Sequence, residues 1–240
     1  MAISDLLNSL QPAADDQGSL DVWLGIPPGY LPLPVVDSAD RLAEALPTLV
    51  ELCPPESRDL LFSTVDTFAL LLSELEQRNT VFCGLGWHTA PDDESTLVAS
   101  SLVASLQTTG GERNPRLVLG DLIKVSADAD DHAQADLVDL PNGPALFFES
   151  VRSLRKPRLP GEEGDPGRAD VYQLEVIVPS EKGDRLAVLE FSTPQVEYGV
   201  YYREMMVLLA HSVAFNPPPG SEEQGTSARK IHDALGGLGL

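Results

Sequence analysis

Cysteine is scarce in this chain of 240 residues: only Cys53 and Cys83 occur. Their separation fits neither a CxxC redox pair nor paired zinc ligands, so free, buried thiols in a reducing compartment are expected. Positive charge is also scarce, with 16 Lys and Arg against 37 Asp and Glu for a formal net charge of −21. A field of that sign repels phosphates and anionic headgroups, so neither nucleic acid nor an anionic membrane surface is an expected partner. Solubility alone accounts for such acidity, and a basic partner is the sharper alternative. No apolar run approaches the ~20 residues that span a bilayer. The longest, around Leu70 to Leu75, is interrupted by Ser73 and Glu74. The first five residues lack the positive n-region of a secretory signal. A cytoplasmic protein without membrane insertion is the expectation.

The motifs of catalysis are missing too. Gly84-Leu85-Gly86 lacks the third glycine of a dinucleotide loop, and no helix N-terminus is predicted to follow it and hold a pyrophosphate. His88, His132, His211 and His232 form no HExxH and no pair at ligand spacing. No GxSxG elbow, Walker loop or papain-like cysteine context is present. Asp128, Asp130 and His132 take the first, third and fifth places of an EF-hand register. Ala133 then stands where that loop requires glycine, and Asp139 where it requires a bidentate glutamate. A solvated acidic loop is the plainer account. No catalytic residue, metal ligand or cofactor is assigned, and the chain is expected not to be an enzyme.

Hydrophobic residues make up 42% of the chain, enough for a substantial core. Ile3, Leu6, Leu7 and Leu10 recur at helical spacing and predict a short amphipathic extension over 1–19. Residues 22–26 read as a strand, and the proline-rich stretch 27–34 as an extended, helix-forbidden course laid over the core. Helices follow over 37–52, with Leu42, Leu46, Leu49 and Val50 inward, and over 56–77, whose apolar positions are numerous enough for burial on more than one side. Strands are predicted over 80–87 and 95–108, a helix from Pro115 to about 125, and strand pairs over 135–140 with 145–154 and 171–178 with 186–192. A final amphipathic helix over 196–212 draws Val200, Met205, Leu208, Leu209 and Ser212 to one side.

Arg152, Arg155, Lys156, Arg158 and Arg168 gather in and before a Pro- and Gly-rich connection read as a long exposed loop over 155–170. A mixed-sign surface loop is the plain reading, because Glu162, Glu163 and Asp165 intervene. The functional one is a contact site for an acidic protein partner, since loops on rigid scaffolds often carry binding. From 217 the composition turns polar and predicts a flexible tail. Ile231, Leu235, Leu238 and Leu240, punctuated by glycines, have the character of a docking peptide on a tether, or of a frayed terminus.

The segments Asp139-Leu140-Pro141-Asn142-Gly143-Pro144-Ala145, Glu175-Val176-Ile177-Val178-Pro179 and Leu189-Glu190-Phe191-Ser192-Thr193-Pro194, followed by a helix closing on Ala210-His211-Ser212-Val213, resemble the actinobacterial Mog1/PsbP-like proteins. The resemblance covers about 20–216. It implies an α/β (α+β) fold, specifically an α/β/α sandwich around a central antiparallel sheet, used as a protein-binding or accessory module. It carries over no catalytic residue. The family's setting, rather than any residue, implies a place in a multiprotein, secretion-related assembly. The expected function is therefore a non-enzymatic cytoplasmic adaptor. The alternative is a ligand-binding protein or enzyme with a pocket between the sheet and the helical hairpin, near Trp23, Tyr30, Trp87 and His88.

Overall fold

A computed structural model describes residues 22–35, 38–90, 92–93, 95–128, 134–156 and 165–216. The N-terminal extension, most of the acidic loop after Asp128 and the tail from 217 lie outside the described residues.

The chain runs β1 (Tyr30–Pro32), α1 (Ser38–Leu52), a 3-10 turn (Pro55–Ser57), α2 (Arg58–Gln77), β2 (Thr80–Thr89), β3 (Leu97–Thr108) and α3 (Pro115–Asp128). It continues through β4 (Gln134–Leu140), β5 (Gly143–Arg155), β6 (Arg168–Pro179), β7 (Arg185–Thr193), a second 3-10 stretch (Val196–Tyr201) and α4 (Tyr202–Ser212). The seven strands form one antiparallel sheet in the order β1-β2-β3-β7-β6-β5-β4. This is a mixed α+β architecture with helices on both faces of the sheet.

Alternation along the strands divides the core in two. Toward α4 point Leu102, Phe147, Leu174, Val176, Leu189 and Phe191, which bury Tyr202, Met206 and Leu209 of the helix. Phe191, Leu174 and Met206 are each at most 1% exposed, and burying side chains of this kind stabilises the fold by about 1.5–3 kcal/mol apiece. On the opposite face α3 sets Val118, Leu119 and Leu122 on Leu146, Phe148, Ile177, Leu186 and Val188. There α2 sets Leu72 and Leu75 on Val35 and Cys83. Asn79, at φ 54°, turns the chain from α2 into β2, a left-handed position that asparagine tolerates better than most residues.

Asn142 and Thr193, each within a motif that carries the resemblance, have structural jobs. Asn142, in the turn between β4 and β5, donates from Nδ2 to the carbonyls of Ala210 (3.0 Å) and Val213 (3.1 Å). It thereby adds a side-chain donor to the Ala210 carbonyl, which also accepts from the Val213 N–H at 3.3 Å, and another to the Val213 carbonyl just past the helix end. Thr193 donates from Oγ1 to the Ala99 carbonyl at 2.8 Å and accepts from the Gln195 N–H at 3.2 Å. That hydroxyl ties the end of β7 both to β3 and to the turn that starts the last helical segment.

Several expectations are corrected. Residues 22–26 form no strand, only an isolated bridge in which Trp23 exchanges backbone hydrogen bonds with Ala214 at 2.8 and 3.1 Å. Tyr30–Pro32 is instead the edge strand β1, and proline is tolerated there because an edge has one unpaired side. The connection 155–170 is shorter than read, since β5 reaches Arg155, β6 starts at Arg168, and these two residues pair. In α2 Leu72 is fully buried, while Leu70 and Leu71 are 74% and 47% exposed, so one face is covered rather than several. Leu42, Leu46 and Val50 of α1 are only half-buried and Leu49 is exposed, because α1 packs chiefly on α2. The final helix begins as a 3-10 stretch. Its three-residue period shifts the phase of α4, leaving Val200 and Leu208 exposed and burying Tyr202, Met206 and Leu209.

Candidate functional site

Helices α2 and α3 cover only part of their face of the sheet. The register gives a row Cys83, Val103, Glu190, Glu175, Phe148 and, one step away, Leu85, Ser101, Ser192, Gln173, Ser150. Leu31 of β1 extends the second row opposite Leu85. Cys83 and Phe148, at the two ends of the first row, are buried under the helices. Every side chain of the second is exposed or half-exposed. Beyond it lie Trp87 and Ala99, paired with each other, then Leu97. Among the described residues, no helix covers this band across the sheet.

The band changes character along its length. Over β1 to β3 it is apolar: Leu31 is 60% exposed, Trp87 54% and Leu97 62%. In the middle it is hydroxyl-rich, with the Ser101 and Ser192 hydroxyls 2.8 Å apart. On its helix-covered border Glu190 and Glu175 stand directly opposite each other on β7 and β6, and Arg78 at the end of α2 approaches Glu190 at 4.0 Å. Burial, reinforced by Glu190, pushes the Cys83 thiol up to about 11, so this thiol is not a reactive nucleophile. Cys53 is half-buried rather than buried.

At its far end the band runs onto a two-stranded arm. Among the described residues β5 is paired with β4 as far as Glu149 and β6 with β7 from Tyr172, while β5 and β6 stay paired to Arg155 and Arg168. Arg152 lies on the band's side of this arm, two residues beyond Ser150 and on the same face. Arg155 and Arg168 lie on the other side. Arg155 approaches Asp165 at 3.6 Å and Arg168 hydrogen-bonds the Ser153 hydroxyl and carbonyl. Lys156 follows the strand and donates its backbone N–H to Gly167. The predicted basic group is therefore split between two faces of one arm. Arg158 and the tail residues Ile231, Leu235, Leu238 and Leu240 lie outside the described residues.

The residues expected to line one pocket are divided between the two faces of the sheet: Trp87 lies on the α2 side, while Tyr30 and His88 lie on the α4 side. His88 packs between the rings of Tyr30 (5.1 Å) and Tyr202 (5.6 Å). Gly86 leaves the room, since a Cβ there would meet His88 Nε2 at 2.5 Å. Burial holds the imidazole below the ordinary histidine value and pushes Tyr30 up to about 12. Asp139, at the last place of the EF-hand register, and Asp136 point to opposite sides of β4 and are paired with Arg116 and with Arg203 (2.7 Å) respectively.

A cleft of about 470 Å³ opens elsewhere, between the β6–β7 turn and the end of α4, lined by Asn142, Ser180, Lys182, Arg185 and Phe215 among others. Three of its charged groups are already engaged. Arg185 lies 5.2 Å over the Phe215 ring, Asp184 accepts from Ser180 at 2.6 Å and Lys182 donates to Glu112 at 2.5 Å.

Of the band's residues, the sequence singles out only Trp87, for a pocket, and Arg152, for a contact loop; it does not bring them together. The available signal was polar residues, Ser101, Gln173, Glu175, Glu190 and Ser192, at alternating positions in strands otherwise fit for burial on both sides.

No protein-family model matches this chain, and no curated protein does. No helix among the described residues is long and apolar enough to cross a membrane.

Proposed function

We propose that the chain is a non-enzymatic cytoplasmic adaptor, built on a Mog1/PsbP-like sandwich, that binds another protein within a multiprotein, secretion-related assembly. The antiparallel sheet with helices on both faces supports the sandwich reading. The observation that carries protein binding is the uncovered band. A tryptophan more than half exposed amid Leu31, Leu85 and Leu97 has the composition of a binding hot spot, and an apolar sheet face left in water costs free energy that a partner recovers.

The test is affinity purification from the native host, comparing the full chain, a Leu85→Ser/Trp87→Ser variant and a chain lacking 217–240. A protein recovered with the full chain and lost with the double variant supports the reading. Recovery of no protein in any arm overturns it. The tail-deleted chain separates docking through Ile231, Leu235, Leu238 and Leu240 from docking through the band.

The cleft beside Asn142 and Arg185 favours the second reading, a small-ligand site. Ligands that bind only the folded state raise its melting temperature. A clear thermal shift with a nucleotide, metal or metabolite would favour that reading over the adaptor.

A further inference from the structure

We propose that the uncovered band is the seat of an amphipathic helix from a partner protein, with its apolar stripe on Leu31, Leu85, Trp87 and Leu97 and its basic end over the β1–β3 side. The inference rests on the protein-binding reading and names the chemistry of the partner.

Backbone chemistry selects a helix. The band is the face of a sheet, and the N–H and C=O groups of β2, β3, β7 and β6 beneath it are already committed to ladders on both sides. An extended peptide laid on that face would find no backbone partners, whereas a helix satisfies its own. Six strands at ~4.8 Å spacing give a band ~24 Å long, the length of about 16 helical residues at 1.5 Å each, with the apolar seat over the first three strands, ~10 Å of it.

Charge selects the partner's sign. From 38 to 110, the stretch that builds α1, α2, β2 and β3, there are eleven Asp and Glu against three Arg and no Lys. Asp93, at the turn beside Leu97, accepts from the Ser95 N–H at 2.9 Å and from the Ser95 and Thr96 hydroxyls at 2.6 and 2.7 Å. Those bonds hold its carboxyl down at about 2, so it remains an anion at any physiological pH. Arg152 and Lys156 mark the opposite end, giving the band a charge polarity that fixes the helix direction. A second copy of this chain would bring the same acidic surface against its twin. The N-terminal segment is also acidic, with no Lys or Arg before Arg41. The tail carries Arg229 and Lys230, but Gly236, Gly237 and Gly239 disfavour a helix of the required length.

The experiment is fluorescence anisotropy of the full chain with labelled 16-residue designed helices. One presents a leucine stripe with lysines on the other face, a twin carries glutamates for lysines, and a third scrambles the lysine peptide. The lysine helix is expected to bind at least tenfold tighter than both others, to weaken as salt rises, and to lose at least tenfold on Leu85→Ser/Trp87→Ser. Leu208→Ser, at an exposed leucine of α4 on the other side of the sheet, should leave affinity unchanged. Equal binding of the scrambled peptide, preference for the glutamate twin, or no effect of the double variant overturns the proposal. So does a dimer in sedimentation that the double variant dissolves, or tighter peptide binding once 217–240 is removed, since either identifies another occupant. A host protein captured equally by the full chain and by the double variant leaves protein binding standing and removes only the band.

Discussion

Trp87 and His88 are consecutive in β2 yet belong to opposite sides of the molecule: the indole is 54% exposed on the α2 side, and the imidazole is packed between Tyr30 and Tyr202 on the α4 side. Strand geometry requires this, since successive side chains point to opposite faces. The division separates residues available for binding from residues that hold the fold.

Substitution on the two sides should therefore have unequal costs. Trp87→Ser is expected to change stability by no more than about 0.5 kcal/mol, as for a surface position. Phe191→Ala, at a stacked contact 4.5 Å from Tyr202, should cost about 3–5 kcal/mol through the cavity it leaves. Urea denaturation of both variants measures the difference.

His88 should make stability depend on pH. Its Nε2 is buried with no hydrogen-bond partner among the described residues, and desolvation holds its pKa below the ordinary value. The unfolded chain then binds the proton more readily than the folded one. The folded state loses stability as pH falls through the ordinary histidine value toward the lowered one, and regains it above. Denaturation at pH 7.5 and pH 5.5 should show a larger loss for the wild type than for His88→Gln. Equal losses would remove His88 from the account.

Gly199 lies against the face of the Tyr172 ring so closely that an added Cβ would fall inside the ring's van der Waals envelope. Gly199→Ala should cost about 1–3 kcal/mol by overpacking, read as a lowered denaturation midpoint at unchanged slope. An alanine tolerated without cost would mean that the 3-10 stretch moves freely over β6.

Arg203 ties α4 to the far edge of the sheet. It donates to Glu149 at 2.9 Å and to Asp136 at 2.7 Å, and lies 5.4 Å over the Phe147 ring. Its side chain is about one-third exposed, so solvent screening limits the contribution. Arg203→Met should cost about 1 kcal/mol. A double-mutant cycle with Glu149→Gln should show coupling, which would vanish if the contact were incidental.

The sequence by itself determined which segments are strands and helices from β2 onward, because periods of two and 3.6 are local properties of consecutive residues. The turn at Pro141-Asn142 and the proline start of α3 were legible for the same reason. It could not say that Asn142 caps a helix 68 residues away, or that Tyr30 joins a sheet edge through Gly86. Those depend on partners distant in the chain. Nor could it separate Leu85 and Trp87, which meet solvent, from Leu102 and Leu189, which do not, since all four are apolar residues in strands. Whether a helix covers a given part of the sheet is decided only when α2 and α3 are laid down, and they leave the band between Leu31 and Arg152 open.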